Sequence, residues 1–117
     1  MLSLVHNTRI YLHVLPTDMR KSFDGLTGLV RSVFQKDPLE GSWFLFLNRR
    51  RDRIKILTWD RDGFVLFYKR LENGTFENLR SPDAAATVEL DATQLTLLLT
   101  GVTLASAKRR PRFSTAS

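Results

Sequence analysis

Four carboxylates, Asp52, Asp60, Asp62 and Glu72, lie within one stretch of chain, "NRRRDRIKILTWDRDGFVLFYKRLENG" (Asn48 to Gly74), among eight Lys/Arg side chains. Converging carboxylates are what two-metal phosphoryl transfer requires. Clustered arginines are what a phosphate backbone attracts. Which chemistry the stretch can perform depends on the strands that carry it. The apolar runs "WFLFL" (Trp43 to Leu47), "RIKILTW" (Arg53 to Trp59) and "FVLFYKRL" (Phe64 to Leu71) are strand-length and rich in aromatic and β-branched residues. The connections "NRRRD" and "DRDG" are hairpin-sized, with Gly63 expected in a left-handed turn position. The segment is thus predicted to be an antiparallel β-meander.

In a meander, alternate turns share one end of the sheet. Asp52 and Glu72 then fall at one end and Asp60 and Asp62 at the other, so the carboxylates do not converge. No catalytic residue is expected, and the chain reads as a non-enzyme. A calcium loop starting at "DRDG" fails because Leu71 occupies the twelfth position. The basic side chains do converge: Arg49, Arg50, Arg51 and Arg53 with Lys69 and Arg70. Ile54 and Ile56 are assigned to the core face and Arg53 and Lys55 to the other, which is expected to be solvated and basic. The predicted nucleic-acid contacts are these seven side chains together with Lys108, Arg109, Arg110 and Arg112 of the tail "KRRPR". "RDGFVLFYK" (Arg61 to Lys69) has a faint likeness to the aromatic motif of RNA-recognition sheets, but no matching second motif precedes it. Trp59, at the far end of the basic face, is the ring most worth testing for base stacking.

The surrounding elements complete an α+β domain. "RIYLHV" (Arg9 to Val14) alternates as a strand, and Pro16 ends it. Thr17, Asp18 or Ser22 can cap a following helix, in which Leu26, Leu29, Val30, Val33 and Phe34 form one apolar stripe. Gly25 and Gly28 would let that helix approach the sheet. "TVEL" is a further strand, and Asp91 with Gln94 forms a capping box for a short helix stopped at Gly101. The expected architecture is an antiparallel meander sheet with two packed helices over residues 1–104, followed by a flexible basic tail over residues 105–117.

The composition narrows the function further. The 117 residues carry net charge +6 and no Cys, which excludes disulfides, thiolate metal sites and cysteine nucleophiles. The two histidines, His6 and His13, supply at most half of an imidazole site, so neither metal nor cofactor is expected. The start lacks a signal-peptide pattern, and the apolar run from Leu95 to Ala105 is too short to span a bilayer. A cytoplasmic protein with no membrane partner is expected.

Three segments carry a family resemblance. "PTDMRKSFDGL" (Pro16 to Leu26), the Asn48 to Phe76 segment, and "VELDATQLTLLLTGV" (Val88 to Val102) resemble the TnpB accessory family of IS-66 insertion sequences, and in the same order. This family is unrelated to the far longer RNA-guided nuclease that shares the name. The resemblance implies a role in DNA transposition beside a separate, element-encoded transposase, with no active site to transfer. Ser42 and Trp43 stand where the family would have His and a smaller aliphatic residue, and Thr58 where Tyr is common. Two functions of different class follow. One is a DNA-contacting factor, acting at element ends through the basic cluster. The other is an adaptor for the transposase that docks through Asp18, Arg20 and Lys21. The oligomeric state is left open by the sequence.

Overall fold

The computed structural model describes residues 7–81 and 83–101. β1 (Ile10–His13) leads into α1 (Phe23–Leu29), which continues as a π-helical turn over Val30–Phe34. A short 3-10 turn (Pro38–Glu40) precedes β2 (Trp43–Leu47), β3 (Arg53–Asp60) and β4 (Gly63–Arg70). β5 (Thr87–Leu90) and α2 (Ala92–Thr100) follow. The sheet order is β4-β3-β2-β1-β5. The α+β class and the β2–β3–β4 meander agree with the sequence, with Arg53 opposite Arg70 and Asp60 opposite Gly63 across the second hairpin. The sheet as a whole is mixed, because β1 and β2 run parallel, from Ile10 opposite Trp43 to His13 opposite Phe46. The intervening helix is the reason. A crossover returns the chain to the end where it started, so the next strand repeats the direction of the first.

Both faces of the sheet are covered, by different helices. On one face Ile10, Leu12, Trp43, Leu45, Leu47, Ile54 and Ile56 pack with Leu95 and Leu98 of α2 and with Phe76. On the other, Tyr11, Phe44, Phe46 and Leu57 meet Leu26, Val30 and Phe34, spaced by four on the α1 side. This explains why "WFLFL" is apolar throughout: a strand covered on both faces has no solvent side. It also corrects the reading of β3. The face carrying Lys55 is not a solvated one, and Lys55 is only 5% exposed.

Local signals met mixed outcomes. The capping box on α2 forms, with Gln94 N–H donating to Asp91 Oδ1 (2.7 Å) and Asp91 N–H to Gln94 Oε1 (2.8 Å). Gly101 closes the helix at φ +86°. Ser22 occupies the N-cap of α1 but makes no side-chain cap bond. In the β3–β4 turn Arg61, not Gly63, takes the left-handed conformation, at φ +53°. Gly25 and Gly28 do not serve sheet contact. A methyl at Gly25 would come within 3.1 Å of Lys21 Cβ, and one at Gly28 would meet nothing within 4 Å. The domain limit at residue 104 and the basic tail lie outside the described residues.

Candidate nucleic-acid interface

Because β1 and β2 are parallel, the segments leaving their C-terminal ends emerge side by side. Thr17 N–H donates to Leu47 O at 2.7 Å and ties one segment to the other. Between them runs an open groove of about 650 Å³, with Pro16, Thr17, Asp18 and Met19 on one wall and Asn48, Arg49, Arg50, Asp52 and Arg53 on the other. The arginine wall is held in shape by Asn48. Its Oδ1 accepts from Asp52 N–H (3.1 Å) and Arg53 N–H (3.0 Å), while its Nδ2 donates to Asp52 Oδ1 (2.6 Å). This is the Asx-type turn that an asparagine favours. Leu71 N–H to Asp52 O and Phe76 N–H to Arg51 O, both 2.7 Å, fasten the turn from behind.

The expected contact residues separate into groups. Arg49 and Arg50 are exposed at the groove. Arg53 donates from Nη1 to Tyr68 Oη (3.3 Å). A second hollow of about 260 Å³, lined by Arg53, Tyr68 and Arg70, continues the cationic surface. Arg70 there pairs with Glu72 at 2.5 Å. Arg51 is half-buried at φ +55°, and its Nε has no hydrogen-bond partner among the described residues. Lys69 lies on the opposite face, with Nζ donating to Leu99 O at 3.3 Å near the end of α2. Lys55 is turned inward. Its Nζ donates to Met19 O (2.8 Å) and Lys21 O (2.7 Å) and sits 4.6 Å from the centre of the Tyr68 ring. Lys108, Arg109, Arg110 and Arg112 fall outside the described residues. Trp59 packs edge-on against Phe64 at 5.0 Å. Asp60 and Asp62 sit at the far turn of the β3–β4 hairpin, away from Asp52 and Glu72.

Asp18, Arg20 and Lys21 belong to the same end of the sheet. Arg20 grips Asp18 through its backbone N–H (2.9 Å), Nε and Nη2 (2.7 Å). These bonds hold the Asp18 carboxyl down to about 2, against the ordinary 3.8. The Asn48 amide, followed by the nearby Arg50 and Arg53 charges, pulls Asp52 below its ordinary value as well. Both groove carboxylates are therefore ionised at neutral pH, yet the arginines outnumber them. For Asp18 the folded value is depressed, so its contribution is complete above about pH 4 and fades as pH falls through about 2. A carboxyl NMR titration should find Asp18 still largely ionised at about pH 3, and Arg20→Ala should return it to the usual carboxylate range. His13 braces the Pro16–Met19 wall, with Nδ1 3.3 Å from Thr17 Oγ1, and burial holds its pKa below 6.5.

Tyr68 and Asn48 were not foreseen as parts of the site. Asn48 had a legible signal, since an asparagine before a charged turn commonly forms an Asx bond. Tyr68 had none, because its place in the site depends on cross-strand contacts with Arg53 and Lys55 that no sequence spacing marks.

Together these elements define a small basic α+β domain, with a cationic groove at the C-terminal ends of two parallel strands. Over residues 8–109 the chain matches the family described as IS66 Orf2-like protein, and it belongs to that family. Membership carries an accessory role in the transposition of insertion sequences. The chain is similar to two uncharacterized proteins of Sinorhizobium fredii. It is 33% identical to y4jC over 103 residues, which cover 88% of this chain and 86% of the relative. It is 33% identical to y4hO over 102 residues, covering 87% of each. No solved structure matches the chain. Ser42, Trp43 and Thr58, the positions where the resemblance leads one to expect other residues, are all buried. Trp43 is in the core, Ser42 Oγ donates to Glu40 Oε2 (2.6 Å), and Thr58 Oγ1 donates to Gly41 O (3.4 Å). No helix among the described residues is long and apolar enough to cross a membrane.

Proposed function

We propose that this protein serves transposition as a non-enzymatic factor that contacts DNA, with Arg49, Arg50 and Arg53 gripping phosphates at the groove. One observation carries the reading: these arginines share an open, rigidly turned wall, and among the described residues none of the three forms an ion pair with a carboxylate. Arg70 and Tyr68 extend the surface, and the tail basics Lys108, Arg109, Arg110 and Arg112 add charge in the same sense. Contacts of this type position a protein on DNA and carry little sequence information. Lys55 and Lys69, whose ammonium groups bond backbone carbonyls, are left out of the contact set.

The test is a salt titration of binding to a labelled element-end duplex beside a scrambled duplex. Each phosphate neutralised contributes about 0.9 to the slope of log K against log salt, so Arg49/Arg50/Arg53→Ala should lower the slope by about 2.7. Absence of binding at low salt would refute DNA contact. The adaptor reading then takes its place, because the Asp18–Arg20 loop forms the facing wall of the same groove. In that case a charge swap at Asp18 and Arg20 should abolish co-purification with the transposase.

A further inference from the structure

β4 is an edge of the sheet, and it is not built as a protected one. It runs for eight residues without Pro, and its charges stand only at Lys69 and Arg70. Phe67 and Tyr68 are 37% and 48% exposed. Natural sheets blunt their edges with short strands, charges or Pro, because an open ladder of backbone groups invites another strand. The opposite edge follows that rule. β5 has four residues and carries the Arg9–Glu89 ion pair (3.0 Å). Among the described residues no strand pairs with the outer side of β4.

We propose that β4 pairs antiparallel with β4 of a second copy of this chain, continuing the sheet across a two-fold axis. Charge complementarity selects both occupant and register. A two-fold axis normal to the sheet keeps each face on its own side, so opposed residues must both be even-numbered or both odd. Centred on Leu66, the pairing sets Asp62 opposite the second copy's Arg70, Phe64 opposite Tyr68, and Val65 opposite Phe67. Opposite charges, aromatic pairs and aromatic–β-branched pairs are the favourable cross-strand combinations, and symmetry makes each occur twice. The neighbouring registers are worse. Centring on Phe67 sets Asp62 against Glu72, and centring on Val65 sets Arg61 against Lys69.

Sedimentation equilibrium of the full chain should give twice the 13.5 kDa chain mass. Phe67→Lys should weaken the dimer at least about tenfold, since it puts like charges near the two-fold axis. Asp62→Arg and Arg70→Asp should each weaken it about five- to tenfold, and the double swap should restore it. Circular dichroism on each variant separates lost pairing from lost fold. A wild-type chain that stays monomeric at about 100 μM overturns the proposal. So does a dimer indifferent to Phe67→Lys, or one that the folded double swap fails to rescue.

Discussion

Phe76→Ala is expected to cost about 3–5 kcal/mol, the range for deleting a fully buried phenylalanine. For a chain of this size that corresponds to a fall in Tm of about 12–20 °C. Phe76 stands outside every helix and strand, yet its side chain has no exposure and joins the α2-side core with Ile54, Leu95 and Leu98. Its backbone N–H also donates to Arg51 O, so the same residue anchors the back of the arginine turn. Two consequences should therefore appear together: lower stability, and faster amide exchange at Arg51 and Asp52 than the global loss accounts for. Phe23→Ala is the control. That ring is partly exposed at the start of α1, outside the β4 edge, and should cost no more than about 1–2 kcal/mol. Thermal unfolding of the two variants side by side decides the matter. A Phe76→Ala shift no larger than that of Phe23→Ala would mean the loop does not pack as described.

Phe76 also shows where sequence reading stops. The helical stripe of Leu26, Val30 and Phe34, the capping box at Asp91, and the meander of apolar runs were all legible, because each leaves a period or a fixed spacing. A lone aromatic in "ENGTFEN" has neither. The faces of the sheet were harder still. An amphipathic helix declares that it will cover something, but its sequence does not name which side of the sheet it covers. With α1 and α2 assigned to opposite faces, the alternation in "RIKIL" changes meaning: Lys55 is no longer a solvent-side residue but an interior one. The groove was hidden for a related reason. "PTDM" and "NRRRD" lie far apart in the chain and were read as belonging to rival functions. The parallel pairing of β1 and β2 puts them on facing walls. The convergence of Arg49, Arg50 and Arg53 was foreseeable from the meander, whereas the second wall was not.

Lys55→Met should destabilise the protein by about 2–4 kcal/mol in chemical denaturation, and the sign of that change is the informative part. A buried ammonium is costly, and replacing a buried charge with an apolar side chain of similar shape is often neutral or stabilising. Were desolvation the larger effect here, methionine would help. The two backbone carbonyls weigh the other way. Met19 O and Lys21 O each receive a bond from Nζ, at 2.8 and 2.7 Å, and methionine would leave both without that donor. Hydrogen bonds from a charged donor are worth about 1.5–3 kcal/mol each, and a stranded acceptor costs a comparable amount. Two such bonds, with the Tyr68 ring 4.6 Å from the ammonium, outweigh the relief of removing one charge. The loss should be local before it is global. The Lys21 N–H bond to Asp18 O and the Thr17 N–H bond to Leu47 O hold the loop that Lys55 supports, and these amides should exchange faster in the variant. Since that loop is one wall of the groove, the proposed duplex binding should weaken as well, although Lys55 lies outside the proposed contact set. A stabilised Lys55→Met protein with unchanged exchange at Thr17 and Lys21 would show that the lysine is a tolerated burial and not the tie that holds the groove in shape.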